Sequence, residues 1–196
     1  MLVSVEEIAR QFQIPLPDSG SELETLLIDF IEEATDAVKL YLNTTFLEPY
    51  TGSIDVQGNQ GQTLELGTYA ISVSSITYSD GTEVDSELYA LSPFNPIRRN
   101  ADNSPIYTGV FNLNNSWVNE NTIYTVEGVF GVKDSQTPRT LRKAIRNMAQ
   151  FYSDSNKLNA FIQSQSGAAL NTLFDTSVEV PPFIKELLTP WRIIGV

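Results

Sequence analysis

Residues 71–78 read Ile71-Ser72-Val73-Ser74-Ser75-Ile76-Thr77-Tyr78, and the spacing in this stretch decides the fold. Apolar residues alternate with hydroxyl-bearing ones, the two-residue period of a half-buried strand. At Ser74-Ser75 the alternation changes phase by one residue. In an unbroken strand that slip would send the following apolar residues to the wrong face, so the spacing predicts a bulge. Ser79-Asp80-Gly81 follows as a turn signal, leading to Val84 and then Leu88-Tyr89-Ala90-Leu91. Working outward, short β segments are expected from about Thr51 to Val132. The last is Ile123 to Val132, where Gly128 and Gly131 mark a bulge and an exit turn. The Pro- and Asn-rich stretch from Ser92 to Ser116 is too irregular to assign.

On both sides the period changes from two to three and four. Ser4 to Phe12 predicts a short helix, with Ser4 as cap, Glu7 three residues on, and Pro15 and Pro17 ending the segment. Ser21 to Asn43 is the clearest helix. Ser21 and Glu24 repeat the capping pattern, and Leu23, Leu27, Phe30, Ile31, Ala34, Val38 and Tyr41 make an apolar stripe opposite Glu22, Asp29, Glu32, Glu33 and Asp36. After the β section, Thr137-Pro138 opens a helix whose stripe is Leu141, Ala144, Ile145, Met148 and Tyr152, flanked by Ala149 and Phe151. A further helix is expected over Asn156 to Gln163. A short one starts at Pro181-Pro182, carries Phe183, Ile184, Leu187 and Leu188, and is stopped by Pro190. The expected fold is α+β: a single domain of helices at both ends (1–50 and 134–196) framing a small antiparallel β section (51–133).

Composition excludes much chemistry. The 196 residues contain no cysteine and no histidine. That removes disulfides, thiolate nucleophiles, the Ser-His-Asp triad, and the commonest general base and metal ligand. No run of about 18 apolar residues exists to span a membrane, and the start lacks the basic and apolar regions of a secretory signal. The chain is therefore expected to be soluble and intracellular in origin, with no cofactor and no metal. Net charge is −12 and unevenly spread. Residues 1–50 carry ten acids against two bases, 51–133 nine against three, and 134–196 five against seven. An acidic front and a mildly basic back suit head-to-tail self-association, or equally a solvated surface.

The order of elements and their punctuation resembles the head–tail connector (adaptor) family of tailed bacteriophages. The residues that carry the likeness are Val5-Glu6-Glu7-Ile8, the acidic helix ending Ala37-Val38-Lys39-Leu40-Tyr41-Leu42, and the β segments at 71–78 and 88–91. They continue with Trp117, Tyr124-Thr125-Val126 running to Phe130-Gly131, the Pro138/Leu141/Ala144/Phe151-Tyr152 pattern, and Leu187-Leu188-Thr189-Pro190-Trp191-Arg192. The β section is larger than in compact helical members, and the stretch 164–180 has no clear counterpart. The resemblance implies a non-enzymatic virion protein of the neck, assembled in the host cytoplasm. It implies a ring of copies, commonly twelve, below the portal protein and above a tail or stopper protein. DNA would pass through that ring without sequence-specific binding.

Against that frame, two groups stand out as interface candidates. Arg139, Arg142, Lys143 and Arg146 lie within two helical turns, and Arg139, Arg142 and Arg146 share a face away from the apolar stripe. They are expected to meet acids of an adjacent subunit or the portal, Glu32 and Asp36 among them. The alternatives are a solvated face with pairs inside the chain, or contact with DNA phosphates, which a charge of −12 disfavours. Trp191 and Arg192 are the residue types that dominate interfaces. Here too Trp191 has an alternative, tucking back on its own core.

Other readings have less to stand on. Glu32 and Glu33 point about 100° apart on a helix and cannot flank one bond. Asp55, Asp80, Asp85 and Asp102 occur in turn-like places and match no calcium loop. Gly128 and Gly131 lack the continuation of a phosphate-binding loop. A second neck or tail-completion protein, or a carbohydrate-binding β module built on Tyr107, Trp117, Tyr124 and the Asn-rich stretch 112–121, are the alternative functions.

Overall fold

Local signals place the helices. The computed structural model describes residues 2–93, 103–113, 117, 122–133, 137–153 and 180–193. In it α1 spans Val5–Phe12. The Ser4 hydroxyl accepts from the Glu7 amide at 3.2 Å and the Glu7 carboxylate accepts from the Ser4 amide at 3.0 Å, so the predicted capping box closes in full. α2 spans Glu22–Leu42. Its box closes by half: Ser21 Oγ accepts from the Glu24 amide at 3.2 Å, but the Glu24 carboxylate takes the Gly20 amide at 2.5 Å, not that of Ser21. Leu27, Phe30, Ile31, Ala34 and Val38 are buried while Glu22, Asp29, Glu32 and Asp36 are exposed, the division the periodicity predicts.

α3 spans Arg139–Tyr152, directly after Pro138, and buries Leu141, Ala144, Ile145, Met148 and Ala149. α4 spans Pro182–Leu188 and buries Ile184 and Leu188, while Phe183 stays exposed. The α-helix stops just before Pro190, as expected, and the chain goes on as a 3₁₀ turn over Thr189–Trp191. The helix expected over 156–163 lies outside the described residues. These helices form one compact unit, Met1–Tyr41 with Arg139–Pro190. In it α3 packs against both α1 and α4, and the Tyr41 hydroxyl lies 3.1 Å from that of Thr189. Among the described residues no helix is long and apolar enough to cross a membrane.

The second unit, Leu42–Pro138 with Trp191–Val196, is built on a five-stranded antiparallel sheet. The strands are β1 (Tyr50–Gln57), β2 (Thr63–Tyr78), β3 (Tyr89–Pro93), β4 (Tyr107–Asn112) and β5 (Ile123–Phe130). Their order is β1-β5-β2-β4-β3. The α+β class with helices framing an antiparallel sheet is therefore the one observed. β1 was read only as the start of the β section near Thr51, and two further strands were not legible in full. β2 begins at Thr63, eight residues before the stretch that reveals it, and β4 lies inside the stretch that reads as irregular.

Register explains the alternation. Between β1 and β5, Ile54 faces Val126 and Val56 faces Tyr124 on the inner layer, while Ser53 faces Glu127 and Asp55 faces Thr125 on the outer. β2 keeps its apolar side chains on the inner layer only by shifting register between Val73 and Ser75, the predicted bulge, and also between Ala70 and Ser72. Gly128 sits opposite these shifts. A Cβ there would run into the Ser72 carbonyl, so the bulged strand can approach only a glycine. Gly131 leaves the sheet at φ 98°, pressed against the Glu48 carbonyl, as the exit turn requires.

The core of this unit lies on the inner layer: Val56, Leu64, Leu66, Ala70, Ile76, Val84, Val110, Trp117, Tyr124, Val126 and Phe130. Trp117 meets Tyr124 edge-on with ring centres 5.2 Å apart, and its indole N–H donates to the Val110 carbonyl at 2.9 Å. The chain's last described residues return to this unit. The Ile193 amide donates to the Leu42 carbonyl at 2.9 Å, and the Tyr69 hydroxyl donates to the carbonyl of Trp191. Burial pushes the Tyr69 phenol well above its ordinary value.

Candidate subunit interface

The four cations of α3 divide by helical phase. Arg139 and Lys143, four residues apart, are both exposed. Arg142 and Arg146, also four apart, are half-buried and lie on the flank that packs against α1. One Arg142 Nη donates to the Glu7 carboxylate at 2.9 Å, and Gln11 donates to the Gln150 side chain at 2.7 Å and the Arg146 carbonyl at 3.4 Å. The Nε atoms of Arg142 and Arg146 are buried without an acceptor among the described residues. Arg139, Arg142 and Arg146 are thus not brought onto one open face. Arg142 is held by its own chain, and the pair presented outward is Arg139 with Lys143.

Spacing alone misjudged this because the sequence does not show what covers a flank. The partners it missed, Glu7 and Gln11, are 135 and 139 positions from Arg142 and Gln150. A local signal did mark Glu7, as the far end of a capping box, but nothing in that signal points to α3.

On α2, Glu32 and Asp36 are exposed on the outer face, as their spacing predicts, and Asp36 accepts from Lys39 at 2.8 Å. Glu33, one residue round the helix, is half-buried. Its charge adds to the effect of burial in raising the Tyr152 phenol on α3. At the end of the chain, Arg192 is exposed and Trp191 is 7% exposed. A tryptophan so covered has little area left for a neighbour, so the outward part of that dipeptide is the arginine.

The residues behind the other readings fall elsewhere. Trp117 and Tyr124, proposed carriers of a carbohydrate platform, are core residues with 1% and 0% exposure and cannot stack on a sugar. Asp80 accepts from the Thr82 amide at 2.8 Å, which holds its carboxyl below the usual range, and Asp85 caps a 3₁₀ turn. Both are turn chemistry, as expected. Asp55 is not: it sits within β1 and accepts from the Thr125 hydroxyl of β5 at 2.7 Å. Asp102 and the stretch 164–179 lie outside the described residues. Among the described residues no group of three Asp or Glu is placed to hold a metal ion.

No protein-family model matches the chain, and neither does any curated protein. Solved structures do. A chain in the neck of an empty gene transfer agent (GTA) particle, computed with C6 symmetry, superposes with a TM-score of 0.59 at 13% identity over 98% of this chain and 90% of that one. A chain of the native GTA virion gives 0.56 at 16% identity, with the same coverage. A chain in the native GTA neck, computed with C12 symmetry, gives 0.52 at 14% identity over 88% and 85%. At such identities the likeness is one of fold, and the fold of this chain is one that subunits of gene transfer agent particles, the neck included, also adopt.

Proposed function

We propose that the chain is a structural neck protein of a phage-like particle. Within that class we assign it as a head–tail connector subunit, without enzymatic activity, that closes into a ring around the DNA channel and joins capsid to tail. The observation that carries the reading is the fold likeness to a neck chain over 98% of this chain. Neck particles of this kind were computed with C6 and C12 symmetry, which supports a ring of copies. The resemblance adds the finer parts: about twelve copies, by analogy with cyclic assemblies of this kind, the portal above, a tail or stopper protein below, and DNA passing without sequence-specific contact.

Charge supports a head-to-tail contact between neighbours. One exposed patch is basic (Arg139 and Lys143), and another, on α2, is acidic (Glu22, Asp29, Glu32 and Asp36). Patches of opposite sign on different surfaces of one chain pair heterologously, the arrangement that builds rings. Arg192, exposed beyond α4, is the second candidate contact.

Negative-stain imaging and native mass measurement of the full chain, with and without portal, test the assignment. Rings seated on the portal are expected. A chain that joins the tail but never the portal would instead be a tail-completion protein, and one that joins neither would end the neck reading. An Arg139→Glu/Lys143→Glu variant is expected to lose ring closure while keeping its melting temperature, because neither side chain is buried. Arg142→Glu is expected to destabilise the folded chain through Glu7, so it does not test the interface.

A further inference from the structure

The two edges of the sheet are built differently. β3 is short, shifts register against β4 between Ser92 and Pro93, and ends in that proline, which has no amide to offer. Those are the features with which proteins blunt an edge against pairing. β1, at the other edge, has none of them. Its eight residues pair one for one with β5, from Tyr50 opposite Phe130 to Gln57 opposite Ile123, with no bulge. It holds no lysine and no proline, and Thr51, Ser53, Asp55 and Gln57 are all exposed. Among the described residues no strand pairs with the outer edge of β1 along Tyr50–Val56, and a row of amides and carbonyls left in that way is what an added strand needs.

The side chains along this edge say what would fit. On the inner layer, Tyr50, Gly52 and Ile54 are incompletely buried. The Tyr50 ring stacks on Phe46 at 4.3 Å and lies over Gly52, so the apolar row is formed but open at its rim. On the outer layer, Asp55 and Glu127 are exposed, Glu127 being the cross-strand partner of Ser53. None of the five strands contains a lysine or an arginine. An incoming strand places alternate side chains on the two layers. Apolar ones would complete the inner rim and basic ones would meet Asp55 and Glu127 on the outer.

We propose that the open edge of β1 is a strand-addition site for an extended segment of another protein chain, one whose residues alternate apolar and basic. The proposal rests on the sheet alone and holds whether or not the chain is a neck subunit.

The probe is a synthetic peptide of alternating valine and lysine, titrated onto the full chain. Two controls accompany it, one with glutamate for lysine and one with a central proline. The valine–lysine peptide is expected to bind at least about tenfold tighter than either control. Its binding is also expected to slow amide hydrogen exchange within Tyr50–Gln57. A Ser53→Lys/Asp55→Lys variant is expected to weaken binding about tenfold at an unchanged melting temperature, by giving the edge the charges that blunt one. Equal binding of the proline peptide would overturn the proposal, because only backbone pairing is sensitive to that residue. So would binding that leaves the β1 amides unprotected. Protection of the same amides by self-association without peptide would assign the edge to a second copy and overturn the stated partner.

Discussion

In the helical unit, the residues that define each element lie three or four positions apart, as Leu141, Ala144, Ile145 and Met148 do on α3. In the sheet unit they lie far apart in sequence, as where Ile54 faces Val126 and Ile76 faces the same residue from the other side. The first kind of element is held by many small, local terms. The second depends on a few long-range fits, each of which must be right for the strands to stay in register. A single substitution is therefore better tolerated in the helices than in the sheet.

The largest effect is expected at Trp117. Replacement by alanine removes the edge-on contact with Tyr124 and the hydrogen bond to the Val110 carbonyl and leaves a cavity, costing about 3–5 kcal/mol in denaturant unfolding. A small loss there would show the sheet unit to be as forgiving as the helices. Gly131→Ala follows, at about 2–3 kcal/mol, because a side chain is strained at φ 98° and collides with the Glu48 carbonyl. Tyr69→Phe is expected to cost about 1–3 kcal/mol by leaving the Trp191 carbonyl without its donor. That loss depends on pH. The folded-state phenol is raised above its unfolded value, so its contribution is complete below about pH 10 and fades as the pH climbs further. Melting temperatures of the two proteins should therefore converge in alkali. The smallest effect belongs to the helical unit: Ser4→Ala opens the capping box at the start of α1 and costs about 1 kcal/mol.

What was legible in the sequence follows the same division. Helix positions, the full cap at Ser4 and the buried stripes were readable because they are local. So was the bulge at Ser74-Ser75, since a phase change is a local event even in a strand. Thr63-Leu64-Glu65-Leu66 carries the same alternation and would have extended β2 backward. β4 showed no such sign, because Tyr107-Thr108-Gly109-Val110 is buried or half-buried on consecutive positions. The proposed interface was legible as a cluster of charge but not as a direction. Whether Arg142 faced outward depended on Glu7, a residue from the other end of the chain. Trp191 had two readings, docking on a neighbour or tucking back on its own core, and its 7% exposure goes with the second.

One consequence of this layout concerns how the chain is made. The helical unit is discontinuous: α1 and α2 come first, and α3, on which α1 packs, follows only after the whole sheet. At about 5–20 residues per second, a ribosome needs several seconds to pass from Leu42 to Arg139. During that interval the apolar face of α1 has no α3 to pack on, while the strands of the sheet are made one after another. Vectorial synthesis thus favours the sheet as the first finished part, and a nascent chain arrested once β5 has left the ribosome but before α3 has is where a chaperone should be found holding Ile8 and Ala9 of α1.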